Sequence, residues 1–268
     1  MARALQITSP ANPRLKQLAR LREHRHRRKT GQFIAEGHRE VARALAAGLT
    51  IRELWTAPEL LAASAAPDLD VRDSAQRLEV PARLFRKIAY VREPEGILAV
   101  VDQPRWTFDG LPPVTDQTLY LVAVGLEKPG NLGAIVRSAD AAGCQAVFAA
   151  SAPVDVFNPN AIRTSTGAVF AMPVINMTEA ETRDQLHAAG VRMALATLRH
   201  ATPHTDFDWQ GPTAIVIGPE DAGLNDAWHR HPAAHRVRID MRGRIVDSLN
   251  ASNAAAVLMF EARRHMPE

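Results

Sequence analysis

Three segments of this chain combine residue types that could do chemistry. The first reads Gly125-Leu-Glu-Lys-Pro-Gly130-Asn131-Leu-Gly133-Ala-Ile-Val-Arg137, placing an amide and a guanidinium in a glycine-rich stretch. The planar fork of arginine suits a phosphate or an oxygen on which charge develops. The second, Gly218-Pro-Glu220-Asp-Ala-Gly223-Leu224, sets a carboxylate in a tight turn that could hold a small ligand against backbone amides. The third, Met241-Arg-Gly243-Arg-Ile-Val-Asp-Ser248-Leu249-Asn250-Ala-Ser252, runs into an alanine-rich apolar stretch. Taken singly, each has a plain reading. Asn131, Ser248 and Asn250 are good helix caps, Glu220 suits a solvated turn, and Arg137 suits an exposed helix face. None of the three is a Walker loop or a Gly-x-Gly-x-x-Gly fingerprint, which argues against a Rossmann nucleotide-binding enzyme.

What must position these segments is a set of strands and helices in alternation. Unalternated apolar runs at Leu119–Val124, Ala146–Ala149, Val191–Thr197, Thr213–Ile217 and Arg236–Ile239 read as strands. Between and after them, helical stretches are expected at Gly133–Ala142, Thr178–Ala189 and Ser248–Arg264, the second opened by a Thr178-x-x-Glu181 capping box. This pattern predicts a parallel sheet covered on both faces, with ligands at the carboxyl ends of its strands. All three segments fall at such strand-to-helix junctions. The first hundred residues read as a smaller α/β domain. Asn12 caps a helix begun by Pro13, a second helix at His38–Ala47 ends at Gly48, and strands are expected at Phe33–Ala35, Ile51–Trp55 and Ile97–Val101. A proline-rich stretch divides the two, so the expected organisation is a domain over 1–104, a linker over 105–118 and a domain over 119–268.

The 268 residues carry a formal charge of only +3, unevenly spread. Residues 1–40 hold ten Lys and Arg against three Glu, a net of +7; the rest sum to −4. A basic head on a slightly acidic body points to a polyanionic partner, most simply nucleic acid. The candidate phosphate contacts are Arg14, Lys16, Arg20, Arg22, Arg25, Arg27, Arg28 and Lys29, against the plainer reading of a solvated helix face. Aromatics are few, so base stacking is expected to be a minor term. The single cysteine, Cys144, excludes a disulfide framework and suits a cytosolic protein, with a buried thiol its expected role. No His, Cys and Asp spacing suggests a metal. No apolar run is long enough for a membrane span, and no signal-peptide core opens the chain.

Together the three segments resemble the motifs of the SpoU family of SPOUT-class RNA 2′-O-ribose methyltransferases: Asn131-x-Gly133-Ala-Ile-x-Arg137, then Ile217-Gly218-x-Glu220-x-x-Gly223-Leu224, then Met241-x-Gly243 leading to Ser248-Leu249-Asn250-x-Ser252. The N-terminal stretch is similar to that family's substrate-binding domain at Ile7-Thr8-Ser9-Pro-Ala-Asn12-Pro13 and Phe33-Ile34-Ala35-Glu36-Gly37. Asp240 stands where the family usually has proline, and Asn253 where it has an apolar or small hydroxyl residue. The resemblance implies a trefoil-knotted parallel sheet, a homodimer whose active site the second copy completes, and no metal. It implies S-adenosylmethionine as cofactor, held near Thr197, Leu198, Ile217, Gly218, Glu220, Ile239, Met241 and Leu249. Asn131, Arg137, Glu220, Ser248 and Asn250 are then the catalytic set. Arg137 is the family's candidate base, although arginine's persistent protonation favours a clamp on phosphate and alkoxide. The separate N-terminal domain favours ribosomal RNA over tRNA as substrate. The competing reading is a non-catalytic RNA-binding module of the same fold, which would not bind S-adenosylmethionine.

Overall fold

The computed structural model describes residues 4–62, 69, 71, 75–126, 128–151, 154–243, 245 and 248–267. They form two compact units: Met1–Arg105 with Phe157–Ala171, and Trp106–Val156 with Met172–Glu268.

The first unit is built on a five-stranded mixed sheet. Its strands are β1 (Leu5–Gln6), β2 (Gln32–Glu36), β3 (Ile51–Thr56), β4 (Gln76–Glu79) and β5 (Ile97–Asp102), in the order β1-β4-β3-β5-β2. β4 pairs in parallel with β1 and β3, whereas β5 runs antiparallel to β3 and β2. Helices α1 (Pro13–Arg20), α2 (His24–Thr30), α3 (His38–Ala46), α4 (Pro58–Leu61) and α5 (Ala82–Ile88) connect them. The Asn12 side chain accepts from the Arg14 amide at 2.9 Å, and Pro13 occupies the first helical position, so α1 starts where its sequence predicts. Its Leu15 and Leu18 pack into a core with Trp55, Leu78 and Phe85. The sequence shows three of the five strands; β1 and β4 are short and lack a long apolar run. The helix α7 (Pro159–Thr164) also belongs here, although it lies within the span 119–268 expected as one domain. Phe33 of β2 stacks on Phe157 and Phe170, with ring centroids 4.5 and 5.4 Å away, which ties that excursion to the unit's core.

The second unit is a seven-stranded sheet with every pairing parallel. Its strands are β6 (Leu119–Val124), β7 (Ala146–Ala150), β8 (Val174–Met177), β9 (Arg192–Ala196), β10 (Thr202–Pro203), β11 (Thr213–Ile217) and β12 (Ala234–Arg238). They are ordered β10-β12-β9-β11-β6-β7-β8. Every residue of β6, β7 and β11 is buried, as a sheet covered on both faces requires. Helices α6 (Pro129–Ala141) and α10 (Ala251–His265) pack against one another and on β6, β7 and β11. Tyr120, Val122, Phe148 and Val216 pack instead with Leu186 of α8 (Glu179–Ala188) and Trp228 of α9 (Asp226–His229). The expected Thr178 capping box is present: the Glu181 amide donates to Thr178 Oγ1 at 3.2 Å and the Thr178 amide to Glu181 Oε2 at 2.9 Å. The proline-rich stretch expected as a linker lays Trp106, Phe108, Leu111 and Val114 on this core, because its spaced apolar residues have a surface to cover. Among the described residues no helix is long and apolar enough to cross a membrane.

Candidate active site

The first segment enters its helix earlier than its sequence suggests. Pro129, with its fixed φ and no amide to satisfy, takes the first helical position, and Lys128 is the cap. Asn131 is therefore not a cap but lies in the first turn of α6, and Arg137 sits two turns in, exposed. The second segment leaves the buried strand β11 at Gly218 and turns at Gly223, whose amide donates to Pro219 O at 3.0 Å. One glycine lets the second loop fold back on itself and another lets the first loop meet it. A Cβ at Gly218 would lie 2.8 Å from the Gly223 carbonyl carbon, and one at Gly125 2.6 Å from Pro219 Cγ. In the third segment, Asn250 caps α10, its Oδ1 accepting from the Ser252 amide at 3.0 Å and from Ser252 Oγ at 2.6 Å. The helix thus starts at Ala251, three residues after the expected Ser248.

The three segments converge on one carboxylate. Glu220 Oε1 accepts from Asn131 Nδ2 at 3.3 Å, Asn250 Nδ2 at 2.8 Å and the Ala251 amide at 3.3 Å. Lys128 Nζ stands 4.0 Å from Glu220 Oε2. A carboxylate that only accepts fixes both asparagine side chains with their carbonyl oxygens turned away from it, since their NH₂ groups must point inward. The asparagines are thereby oriented before any ligand arrives.

Beside Glu220 a cavity of about 370 Å³ opens at the carboxyl ends of β9, β11 and β12. Its walls include Thr197 and Leu198 after β9, Ile217 and Gly218 at the end of β11, Ile239 and Met241 after β12, and Ser248 and Leu249 before α10. All eight positions expected around a cofactor therefore line one space, along with Ser248 from the expected catalytic set. Asn131, Arg137 and Asn250 do not line it; the two asparagines reach its edge through Glu220, and the exposed Arg137 side chain makes no hydrogen bond or ion pair among the described residues.

The family described as SpoU rRNA Methylase matches residues 118–260, over half of the chain, and an MRM3-like substrate binding domain matches residues 12–99. The chain belongs to the SpoU family. The SpoU match takes in all three loops that meet at Glu220. A 23S rRNA (uridine(2479)-2'-O)-methyltransferase of Streptomyces viridochromogenes is 33% identical, covering 97% of this chain and 92% of that one. An AdoMet-bound rRNA methyltransferase from Sinorhizobium meliloti superposes with a TM-score of 0.86 at 29% identity, over 99% of both chains. A structure described as an RNA 2'-O ribose methyltransferase gives 0.81 at 37% identity, over 97% of this chain and 99% of that one.

Within this SpoU chain the cavity also has walls that sequence reading missed: Arg199, Arg238, Ala254 and Leu258. The last two share with Ala251 one face of α10 at i, i+3 and i+7, a spacing the alanine-rich stretch already displays. Arg238 Nε donates to Asp240 Oδ1 at 2.7 Å and its guanidinium also bonds Ala201 O, so Asp240 has an ionic partner in the strand just before it. The basic head divides. Lys16, Arg20, Arg22, Arg25, Arg28 and Lys29 are exposed. Arg14 is partly engaged, donating to Glu53 at 3.0 Å and Gln76 at 2.7 Å. Arg27 corrects its expected role as an RNA contact: it is 1% exposed and donates to Leu21 O at 2.6 Å. Its position puts it on the inward side of α2, where a buried guanidinium must find acceptors within the fold. Cys144 is buried, its thiol pushed up to about 12 by desolvation. Among the described residues no group of three His, Cys, Asp or Glu could hold a metal.

Proposed function

We propose that this protein transfers a methyl group from S-adenosylmethionine to a ribose 2′-OH of RNA, with ribosomal RNA as substrate. The observation that carries this reading is the convergence of Asn131, Asn250 and Glu220 at the rim of the 370 Å³ cavity. That volume lies in the range of small-ligand sites, roughly 300–1,000 Å³. Its apolar walls and nearby strand-end backbone suit a nucleoside, and Gly218 lets the second loop close tightly beside it. Thr197, Leu198, Ile217, Gly218, Ile239, Met241 and Leu249 would hold the cofactor, with Glu220 at its edge. Bound there, S-adenosylmethionine supplies an electrophilic methyl group on a sulfonium.

The chain's own contribution is position and charge. Glu220 holds Asn131 so that its carbonyl oxygen orients the target ribose, and through Asn250 fixes the start of α10, with Ser248 beside them; such positioning supplies a large share of a transfer rate. Arg137, exposed on α6, clamps the adjacent phosphate and stabilises the developing alkoxide through its permanent charge, while the 2′-OH proton passes to water and the thioether leaves as the S–CH₃ bond breaks. The unit Trp106–Val156 with Met172–Glu268 is the catalytic one, its last segment threaded as a trefoil knot. The return of α10 onto β6 and β11 after the chain has left for β12 supports that threading. The unit Met1–Arg105 with Phe157–Ala171 binds RNA. The substrate named for the Streptomyces relative and the match to a substrate-binding domain support ribosomal RNA. We also infer a homodimer: α10 exposes Val257 (38%) and Phe260 (52%) one turn apart, and Ile245 is 97% exposed. The single buried cysteine supports a cytoplasmic location.

The test is transfer of labelled methyl from S-adenosylmethionine into total rRNA and tRNA, followed by digestion to nucleosides. A 2′-O-methylnucleoside from rRNA is expected. Label in tRNA alone would move the substrate, and no label together with no cofactor binding by calorimetry would leave an RNA-binding module. Sedimentation of the chain checks the dimer.

A further inference from the structure

The first unit holds a second cluster that the methyl-transfer site does not use. Glu36, the last residue of β2, accepts from the Tyr90 amide at 2.6 Å and the Val91 amide at 3.2 Å. Burial pushes its carboxyl above the usual range, while those two amides and the charges of Arg22 and Arg163 pull it back. A half-buried carboxylate is thus committed to fixing a short loop after α5. That loop presents Tyr90 outward at 47% exposure, whereas the other tyrosine of the chain, Tyr120, is 1% exposed. Arg22 and Arg163 line the same small cavity as Glu36 and Tyr90, and both are exposed, as is Arg92. Arg22 also donates to Ala89 O, at the start of the loop.

We propose that Tyr90 is a stacking platform for an unpaired base of the RNA substrate, with Arg22 and Arg163 taking the phosphates on either side. This rests on RNA being the substrate and adds where the first unit grips it. The cavity holds about 30 Å³, room for one water, so the base lies over the ring and not within the pocket. Because Glu36 fixes the loop backbone at Tyr90, stacking costs only side-chain entropy, and flanking guanidinium groups add phosphate contacts and cation–π attraction.

The test uses the full-length chain and a short single-stranded RNA containing 2-aminopurine. Tyr90→Ala is expected to weaken RNA binding about tenfold, consistent with one lost stacking contact. Tyr90→Phe should bind as the unsubstituted chain does, and calorimetric affinity for S-adenosylmethionine should be unchanged in both. Unchanged RNA binding by Tyr90→Ala overturns the proposal. Photocrosslinking of the unsubstituted chain to the same RNA, mapped by mass spectrometry, should place a crosslink at Tyr90 without depending on any variant folding; crosslinks confined to the other unit would overturn it. A chain that binds RNA through Tyr90 but transfers no methyl would sink the enzyme reading and leave the platform standing.

Discussion

Asn250 donates through Nδ2 to Oε1 of Glu220 at 2.8 Å while its Oδ1 caps α10. One side chain therefore starts the C-terminal helix and ties it to the loop after β11. Capping alone would need only the oxygen. The amide's other end is what an aspartate or serine cap could not supply, since neither offers an NH₂ to a carboxylate. Asn250→Asp should accordingly keep the helix start yet place a second negative charge against Glu220. Methyl transfer should drop about a hundredfold, the scale of a small misplacement at a reacting centre, while far-ultraviolet circular dichroism stays unchanged. Full activity in Asn250→Asp would reduce the residue to a cap.

Glu220 itself is 42% exposed at its side chain, so its loss should cost little stability and much activity. Glu220→Gln retains one acceptor oxygen and should keep part of the rate. Glu220→Ala frees both asparagines and should lose more, about a hundredfold or greater. Single-turnover methylation separates the two; equal losses would argue that the carboxylate charge, not its acceptor geometry, matters.

Arg137→Lys retains the charge and removes the planar fork. Turnover should be abolished with calorimetric binding of S-adenosylmethionine nearly unchanged, since Arg137 does not line the cavity. Turnover close to that of the unsubstituted enzyme would remove Arg137 from the phosphate and alkoxide role.

The basic head should behave as two populations. Replacing Arg25, Arg28 and Lys29 with Gln should flatten the log–log salt dependence of binding to single-stranded RNA by about 2, at roughly 0.7 per lost contact. Arg27→Gln should instead lower Tm, because it strips a buried hydrogen bond to Leu21 O worth roughly 2 kcal/mol. An Arg27 variant with weaker RNA binding and unchanged Tm would return that residue to the interface.

Cys144 links stability to alkaline pH. Its thiol rises from 9.0 to about 12 on folding, so the unfolded chain holds fewer protons between those values and folding weakens as pH rises through that window. Below 9 the contribution is constant. Denaturation midpoints of Cys144→Ala should fall less steeply over this range than those of the unsubstituted chain. The native thiol should also resist alkylation at pH 8 and react once the chain is unfolded.

Much of the molecule was legible along the chain. β6 and β11 run over the stretches their apolar runs mark out, and Asn12 and Thr178 cap the helices they precede. These are short-range effects: a strand's burial shows in neighbouring side chains, and a cap bonds an amide two or three residues on. The motif residues, too, could be picked out by type and order. What the chain could not display is which distant groups meet. Asn131 reads as a cap until Pro129 is seen to start α6 one turn earlier. Arg27 reads like its basic neighbours until the core closes over it. Phe157–Ala171 reads as part of the second domain until Phe33 stacks on Phe157 and Phe170. The joining of Asn131, Glu220 and Asn250 spans more than a hundred residues and exists only because β6 lies beside β11 and α10 returns across both. Hydrophobic periodicity reports which face of an element is buried but not against what; strand order decides the partners, and strand order is a property of the whole packed sheet.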